Sequence, residues 1–599
     1  MNLIEKILSN HTDKNRVEPG EIVDIFIDTR VARDFGGANV VKNLEANNLS
    51  IHDASKTFFT FDCNPGGSDQ KYAANQHYCR QFARNNEIQV YDINAGIGTH
   101  LAIDRGLVYP GSTFVSTDSH ANIMGAIGAF GQGMGDQDIA AVWAKGKAWF
   151  KVPHSVKVNF EGERPVDVSA KDIVLNMLSV FGANKLLGFS VELYGEAIET
   201  LTLDERITIS SMATEMGAII VLIPPSPKTL DELEKRSGKR FELIQADNDA
   251  TYLEELTLKI SDFKPMLASP GHPHDNILVE NALNVKIDSA FIGSCTNGRI
   301  ADLRIAAKIL KGKKVAPGVV LKIVPSTDEI WNEALNEGLI KIFKDAGALV
   351  SNAGCAGCAA GQVGQNGPEE VTISTGNRNF SGKQGKGLVY LASPEIVAAS
   401  SIAGYITTSN NIPAIPAVFT ADSIKNKAKK QIPKDSIDSP TVVQGRVWYI
   451  KQDDIDTDMI FHNRYLTITD INEMGQYTFD NLRGYEDFSS KAKVGDIIIT
   501  TKNFGAGSSR QQAVDCFKSL GIQCIIAESF GAIYERNAIN AAFPILTYKN
   551  IDSIEVENGN MLKVDYINGT LSNLDKNLSC PINKFFDVQL EIYTNGGLL

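Results

Sequence analysis

At 599 residues the chain is too long for one hydrophobic core, and length alone points to about four domains. Its 43% hydrophobic content, with 50 Gly against 21 Pro, is ordinary for a soluble α/β enzyme and argues against disorder; no stretch approaches the ~18 apolar residues that span a bilayer. A net charge of −13 lacks the basic excess of a nucleic-acid-binding surface, and eight Cys are too sparse for a disulfide scaffold. Residues 1–8 carry neither a charged head with a long apolar run nor an Arg/Ser-rich composition, so a cytoplasmic location is expected.

In chain order, β-rich runs at 23–27, 57–62, 88–93, 113–117, 156–160, 190–193 and 219–223 alternate with helical patterns at 137–150, 170–181 and 204–216. That alternation predicts α/β layers with parallel sheets. Pro224-Pro225-Ser226-Pro227 breaks the pattern, and 226–285 reads as irregular with weak strands. A new unit opens at Ser289-Ala290-Phe291-Ile292-Gly293-Ser294 and continues through a helix at 304–310, a strand at 319–324 and a helix at 328–346. From 423 to 440 the chain is rich in Lys, Pro and Ser, the composition of an exposed tether, and 442–599 is long enough for an independent α/β domain.

Cys295, in Gly293-Ser294-Cys295-Thr296-Asn297-Gly298-Arg299, is followed by the pair Cys355-x-x-Cys358. Three thiolates can hold three irons of a [4Fe-4S] cluster and leave the fourth iron open as a Lewis acid. Zinc would want a fourth Cys or His at similarly short spacing, and none lies near these positions. Chance spacing is the remaining alternative. Cys63, Cys79, Cys516, Cys524 and Cys580 lack ligand-like spacing, and the last three read as buried apolar fillers. Asp118-Ser119-His120, Cys295 and Asn377-Arg378 each follow a β-rich run, and open α/β sheets bind ligands beyond the carboxyl ends of their strands.

These motifs, together with Thr117 before Asp118, Asn379-Phe380 after Arg378, and Asn503-Phe504-Gly505-Ala506-Gly507-Ser508-Ser509-Arg510, resemble the aconitase superfamily, which includes 3-isopropylmalate dehydratase and homoaconitase. The resemblance covers about residues 20–550. It implies an α/β fold with three domains around an Fe–S cluster, two in 1–285 and one in 286–422, then a linker at 423–440 and a swivelling domain in 441–599. It implies cluster ligation by Cys295, Cys355 and Cys358, and loss and re-addition of water on a 2-hydroxy di- or tricarboxylic acid. Ser508 matches the family's base, with Ser509 and Arg510 beside it; taken alone, the same Gly-Ser-Ser-Arg run reads as a helix cap. Asp118, Ser119 and His120 match its acid–histidine pair, although a lone Asp-Ser-His after a strand is more often a turn. His100 suits its second histidine, and Glu192 resembles an active-site glutamate or else faces solvent on its strand. Arg378 matches a carboxylate clamp, Asn297 and Asn377 would orient cluster and substrate, and Asp458 matches an acidic residue of the last domain.

Three departures bear on the reading. Asp62 is followed by Cys63 where the family has a histidine, and a thiol is a weaker hydrogen-bond former. Lys383 stands where many members have a second arginine, keeping the charge but losing the fork. The loop Arg464-Tyr465-Leu466-Thr467-Ile468 has Thr467 where some homoaconitase-like members place an arginine, which favours 3-isopropylmalate over homoaconitate. A citrate-type substrate, a secondary-metabolism hydratase and an iron-sensing RNA-binding protein are the rivals. The expected partner is a small hydroxy-polycarboxylate, bound by a monomer.

Overall fold

The computed structural model describes residues 1–65, 69–358, 363–417, 439–508 and 510–598, and of Cys358 only the backbone. The chain divides into two compact units, Met1–Asp422 and Ser423–Leu599. Nearly all of the expected tether lies outside the described residues.

The first unit holds three sheets. A five-stranded parallel sheet runs Gln89–Tyr91, Thr57–Thr60, Thr29–Arg33, Thr113–Ser116, Phe130–Gly133. A four-stranded parallel sheet runs Ile220–Leu222, Ser190–Tyr194, Ser155–Glu161, Glu254–Lys259. The third, of seven strands, is parallel through Leu388–Leu391, Val371–Ser374, Ser289–Ile292, Val320–Ile323 and Leu349–Val350, with Met266–Ala268 and Asn276–Leu278 antiparallel at one edge. Those two strands put the start of this layer before residue 286, where the third domain was expected to begin. Thr57–Thr60 and Ser289–Ile292 are buried at every position, as strands covered on both faces must be.

The second unit is one seven-stranded sheet. Val442–Ile450 is long enough to pair in parallel with Ile497–Thr500 at one end and antiparallel with Met561–Asp565 at the other. Cys516, Cys524 and Cys580 fill its cores.

Two expected helices change where glycine intervenes. The pattern at 137–150 is the helix Asp136–Lys145, stopped by left-handed Gly146 (φ 75°) and followed by the strand Lys147–Lys151. Gly338 (φ 76°) splits 328–346 into Asp328–Asn336 and Leu339–Ala346. The stretch 204–216 is the helix Leu203–Ser210 with a separate turn Thr214–Met216. Within the supposedly irregular 226–285, Pro227–Ser237 is a helix capped by the Ser226 side chain and closed by Gly238.

The helix after Cys295, Ile300–Leu310, begins with Asp302 accepting the Arg299 amide (3.0 Å) and the Asn297 side chain (2.9 Å). Burial pushes the Asp302 carboxyl up to about 8. A raised folded value means stability that is complete below the unfolded pKa of ~3.9 and lost as pH rises through about 8. Asp302→Asn keeps the shape without ionising. Urea denaturation should find it gaining on the parent from about pH 4 to about pH 8 and holding a constant difference above; parallel pH profiles would contradict this.

Candidate functional site

In the first unit, strand ends converge on Cys295. The strand Ser289–Ile292 ends in Gly293, where a Cβ would lie 2.5 Å from the Val324 carbonyl oxygen, and the chain turns at once into the short helix Ser294–Asn297. Cys295 and Cys355 are both buried and share a small apolar cluster with Ile97. Asn377, beyond the strand Val371–Ser374, directs its amide nitrogen to Cys295 Sγ (3.5 Å) and to His120 Nε2 (2.6 Å). His120 follows the strand Thr113–Ser116; its backbone N–H donates to Asp118 (3.0 Å), and its Nδ1 lies 3.4 Å from Ser119 Oγ.

Glu215 completes this group. Its Oε1 lies 3.2 Å from His120 Nε2 and accepts from Arg378 Nε at 2.7 Å. Burial pushes its carboxyl up, but His120 and Arg378 outweigh that and hold it below the usual range. Glu215 Oε2 and Asn297 Oδ1 are buried with no hydrogen-bond partner among the described residues, which leaves acceptors for a ligand. Lys171, fully buried, donates to the carbonyls of Thr375 (3.2 Å) and Gly376 (2.7 Å) and so braces the turn carrying Asn377.

On the other side of the cysteines, the strand Thr29–Arg33 delivers Arg33, which pairs with Asp62 (2.7 Å) and Asp118 (3.1 Å) and donates to Cys355 Sγ. Asp62 also accepts the Gly98 amide (2.8 Å), and burial carries its pKa up to about 6 against the pull of Arg33. Burial likewise opposes ionisation of Asp118, yet Arg33 and His120 keep it below the ordinary value. Asp34 accepts the amides of Asp62, Cys63 and Asn64 and the Gln76 side chain. Asp34, Asp62 and Cys63 are close enough to share a cation, but these bonds already engage all four carboxylate oxygens.

The donor set fits an iron–sulfur cluster. Its sulfurs are soft ligands, buried, and approached by Asn377 and Arg33, as thiolates of a protein-bound cluster require. The Cys358 side chain lies outside the described residues, three positions along the turn Ala356–Cys358 from Cys355.

Two further expected catalytic residues have their polar atoms engaged by bonds to the scaffold. Glu192 is buried, but it accepts the Leu3 amide (2.7 Å) and the Tyr194 and Tyr252 hydroxyls (2.7 and 2.9 Å), anchoring the N-terminal helix Leu3–Ser9. His100 donates or accepts at both ring nitrogens within the scaffold, to the Cys295 carbonyl (3.0 Å) and Arg299 (3.5 Å). Burial and then Arg299 lower its pKa to about 4, so it braces the Cys295 turn as a neutral imidazole. Lys383 is half-buried, and no side-chain partner is described for it.

In the second unit, Ser508 is exposed and its carbonyl accepts from Thr457 Oγ1 (3.1 Å). Arg510 is buried and forms a bidentate pair with Asp458 (2.7 and 2.9 Å), which holds that carboxyl low. The helix Gln512–Leu520 has Gln511 at its cap with no side-chain bond, so Ser508 is not its cap. Ser509 lies outside the described residues. Arg464 stacks on Tyr465 (5.2 Å) and faces Asp480 (4.0 Å).

The chain matches the model of the aconitase family (aconitate hydratase) over residues 5–285 and 279–404, and that of the aconitase C-terminal domain over 441–550. It is 40% identical over 412 residues to a probable 3-isopropylmalate dehydratase large subunit of Methanothermobacter thermautotrophicus, covering 68% of this chain and 98% of that one. Over 586 residues it is 31% identical to a mitochondrial homoaconitase of Debaryomyces hansenii, covering 90% and 84%. A crystal structure of 3-isopropylmalate dehydratase from Methanocaldococcus jannaschii is 35% identical over 26% of this chain and 90% of its own, with a TM-score of 0.25. No helix among the described residues is long and apolar enough to cross a membrane.

The anchoring role of Glu192 has a direct check. Glu192→Met fills the space but strands the Leu3 amide and both hydroxyls, and should cost about 1–3 kcal/mol of stability in urea denaturation. An unchanged midpoint would contradict that role.

Proposed function

This chain belongs to the aconitase family and is a hydro-lyase, and from that premise we propose that it dehydrates and rehydrates a 2-hydroxy dicarboxylic acid of the 3-isopropylmalate type. The observation that carries the proposal is the buried group of His120, Glu215, Asn377 and Arg378 gathered on Cys295. Cys295, Cys355 and Cys358 would hold a [4Fe-4S] cluster, which when bound would supply a Lewis-acid site for the substrate hydroxyl and carboxylate.

The chain's own residues would do the rest. Arg378, steadied by Glu215, presents positive charge to a substrate carboxylate. His120, set between Glu215, Asn377 and Ser119, holds or passes the proton that leaves with the hydroxyl. Ser508 takes the proton next to the carboxylate; a serine is a poor base, and the buried Arg510 two residues away would favour its alkoxide. Because Asp458 balances Arg510, that charge stays fixed in place rather than moving to follow the substrate.

Substrate choice rests on the loop from Arg464 to Ile468. Arg464 is already engaged by Asp480 and Tyr465, and Thr467 and Ile468 add no charge, which suits a branched apolar substituent over a third carboxylate. Homoaconitate chemistry is the second reading, supported by the length over which the chain parallels a homoaconitase.

Anaerobically reconstituted protein should gain ultraviolet absorbance from 3-isopropylmalate as the enoic acid forms, faster than from citrate or homoisocitrate. Ser508→Ala should lose roughly 10³-fold in kcat and Glu215→Gln roughly 10²-fold in kcat/KM, with cluster content unchanged. Faster turnover of a tricarboxylate would overturn the substrate assignment, and a loaded cluster idle on all three the whole proposal.

A further inference from the structure

Cys355 receives more than its place in the sequence explains. Arg33 is nearly nine-tenths buried at the end of its strand, and its three nitrogens are divided among Asp62, Asp118 and the Cys355 sulfur. The Cys355 backbone amide in turn donates to the Asp62 carbonyl (2.9 Å), so the cysteine and the aspartate that orients Arg33 are in fixed register. Cys63 follows Asp62 directly, and its thiol donates to Asp62 Oδ1 at 3.5 Å, the same oxygen that accepts from Arg33 Nε. Asp34 pins the Cys63 amide (3.0 Å), so the thiol cannot drift away without breaking that tie.

We propose that Arg33 and Cys63 are positioning residues for Cys355: Arg33 is a charged donor on the ligand sulfur that raises the reduction potential of the cluster it holds, and Cys63 steadies the Asp62 carboxylate that orients Arg33. The inference rests on the reading that Cys355 is a cluster ligand. The physics is general: a hydrogen bond to a ligand thiolate withdraws electron density from its iron, which stabilises the reduced, more negative state. A guanidinium adds its positive charge to the same effect, tempered here by two carboxylates. Cys63 then has a role as a thiol. Replacing an imidazole, it gives Asp62 Oδ1 a second donor beside Arg33 Nε and so holds the carboxylate that aims the guanidinium at Cys355.

The test uses the full chain, reconstituted anaerobically, with iron and sulfide counted before each cluster is titrated against potential and followed by electron paramagnetic resonance. Arg33→Gln and Cys63→Ala should each shift the midpoint to more negative values. Cys63→Ser, whose hydroxyl still donates, should shift it less than Cys63→Ala. Fully loaded variants with the parent's midpoint would overturn the proposal while leaving the ligand assignment intact. A parent that loads iron and sulfide equally well after Cys355→Ala would instead overturn the ligand assignment, and the proposal with it. Should Arg33→Gln fail to fold, the two Cys63 variants decide the matter.

Discussion

Arg299 is fully buried between two carboxylates, and the architecture of the first unit's site depends on that arrangement. Its Nη atoms reach Asp104 at 2.7 and 2.8 Å, and its Nε reaches Asp204 at 2.8 Å. Asp104 ends the helix Gly98–Asp104, Asp204 lies in the helix Leu203–Ser210, and Arg299 comes just after the Cys295 turn. One side chain therefore registers segments from all three parts of the unit. Burying a guanidinium carries a desolvation cost of several kcal/mol, so such a triad adds little net stability, yet losing either partner costs about 3–5 kcal/mol. Its value lies in geometry. Thr208, which accepts the Asn297 side chain and donates to the Thr296 carbonyl, repeats the same tie one turn further along.

The charges around the cysteines depend on this registration. Asp62 and Asp118 both face Arg33, but their proton affinities diverge: Asp62 has drifted up to about 6 with burial, and Asp118, with His120 added, stays low. Two carboxyl groups on one guanidinium thus differ in how readily each holds a proton. On the opposite flank Glu215 does for Arg378 and His120 what Asp118 does for Arg33 and His120.

Much of this was legible in the sequence because the ends of parallel strands present the residues just beyond them. Asp118-Ser119-His120, Cys295 and Asn377-Arg378 each sit a few residues past a strand of a parallel layer. Residues whose role depends on distant partners were not legible. Glu215 is in a short turn and meets its partners 95 and 163 positions away; Arg33 is one of two arginines in its strand and meets Cys355 across 322. Glu192 reads from its resemblance to a family glutamate, or else as a solvent-facing strand residue; the sequence does not show that its partners are an amide and two hydroxyls that need an acceptor. The helix Pro227–Ser237 carried Ser-Pro at its start and Gly at its end, signals masked by the prolines before it.

On the proposed function, the cysteines hold a cluster with one iron open to the substrate. Mössbauer spectra of 57Fe-reconstituted protein, before and after 3-isopropylmalate is added, test it most directly. A single iron should change its isomer shift and quadrupole splitting while its neighbours keep theirs. Spectra identical with and without the substrate, or a protein that takes up zinc in place of iron, would contradict it.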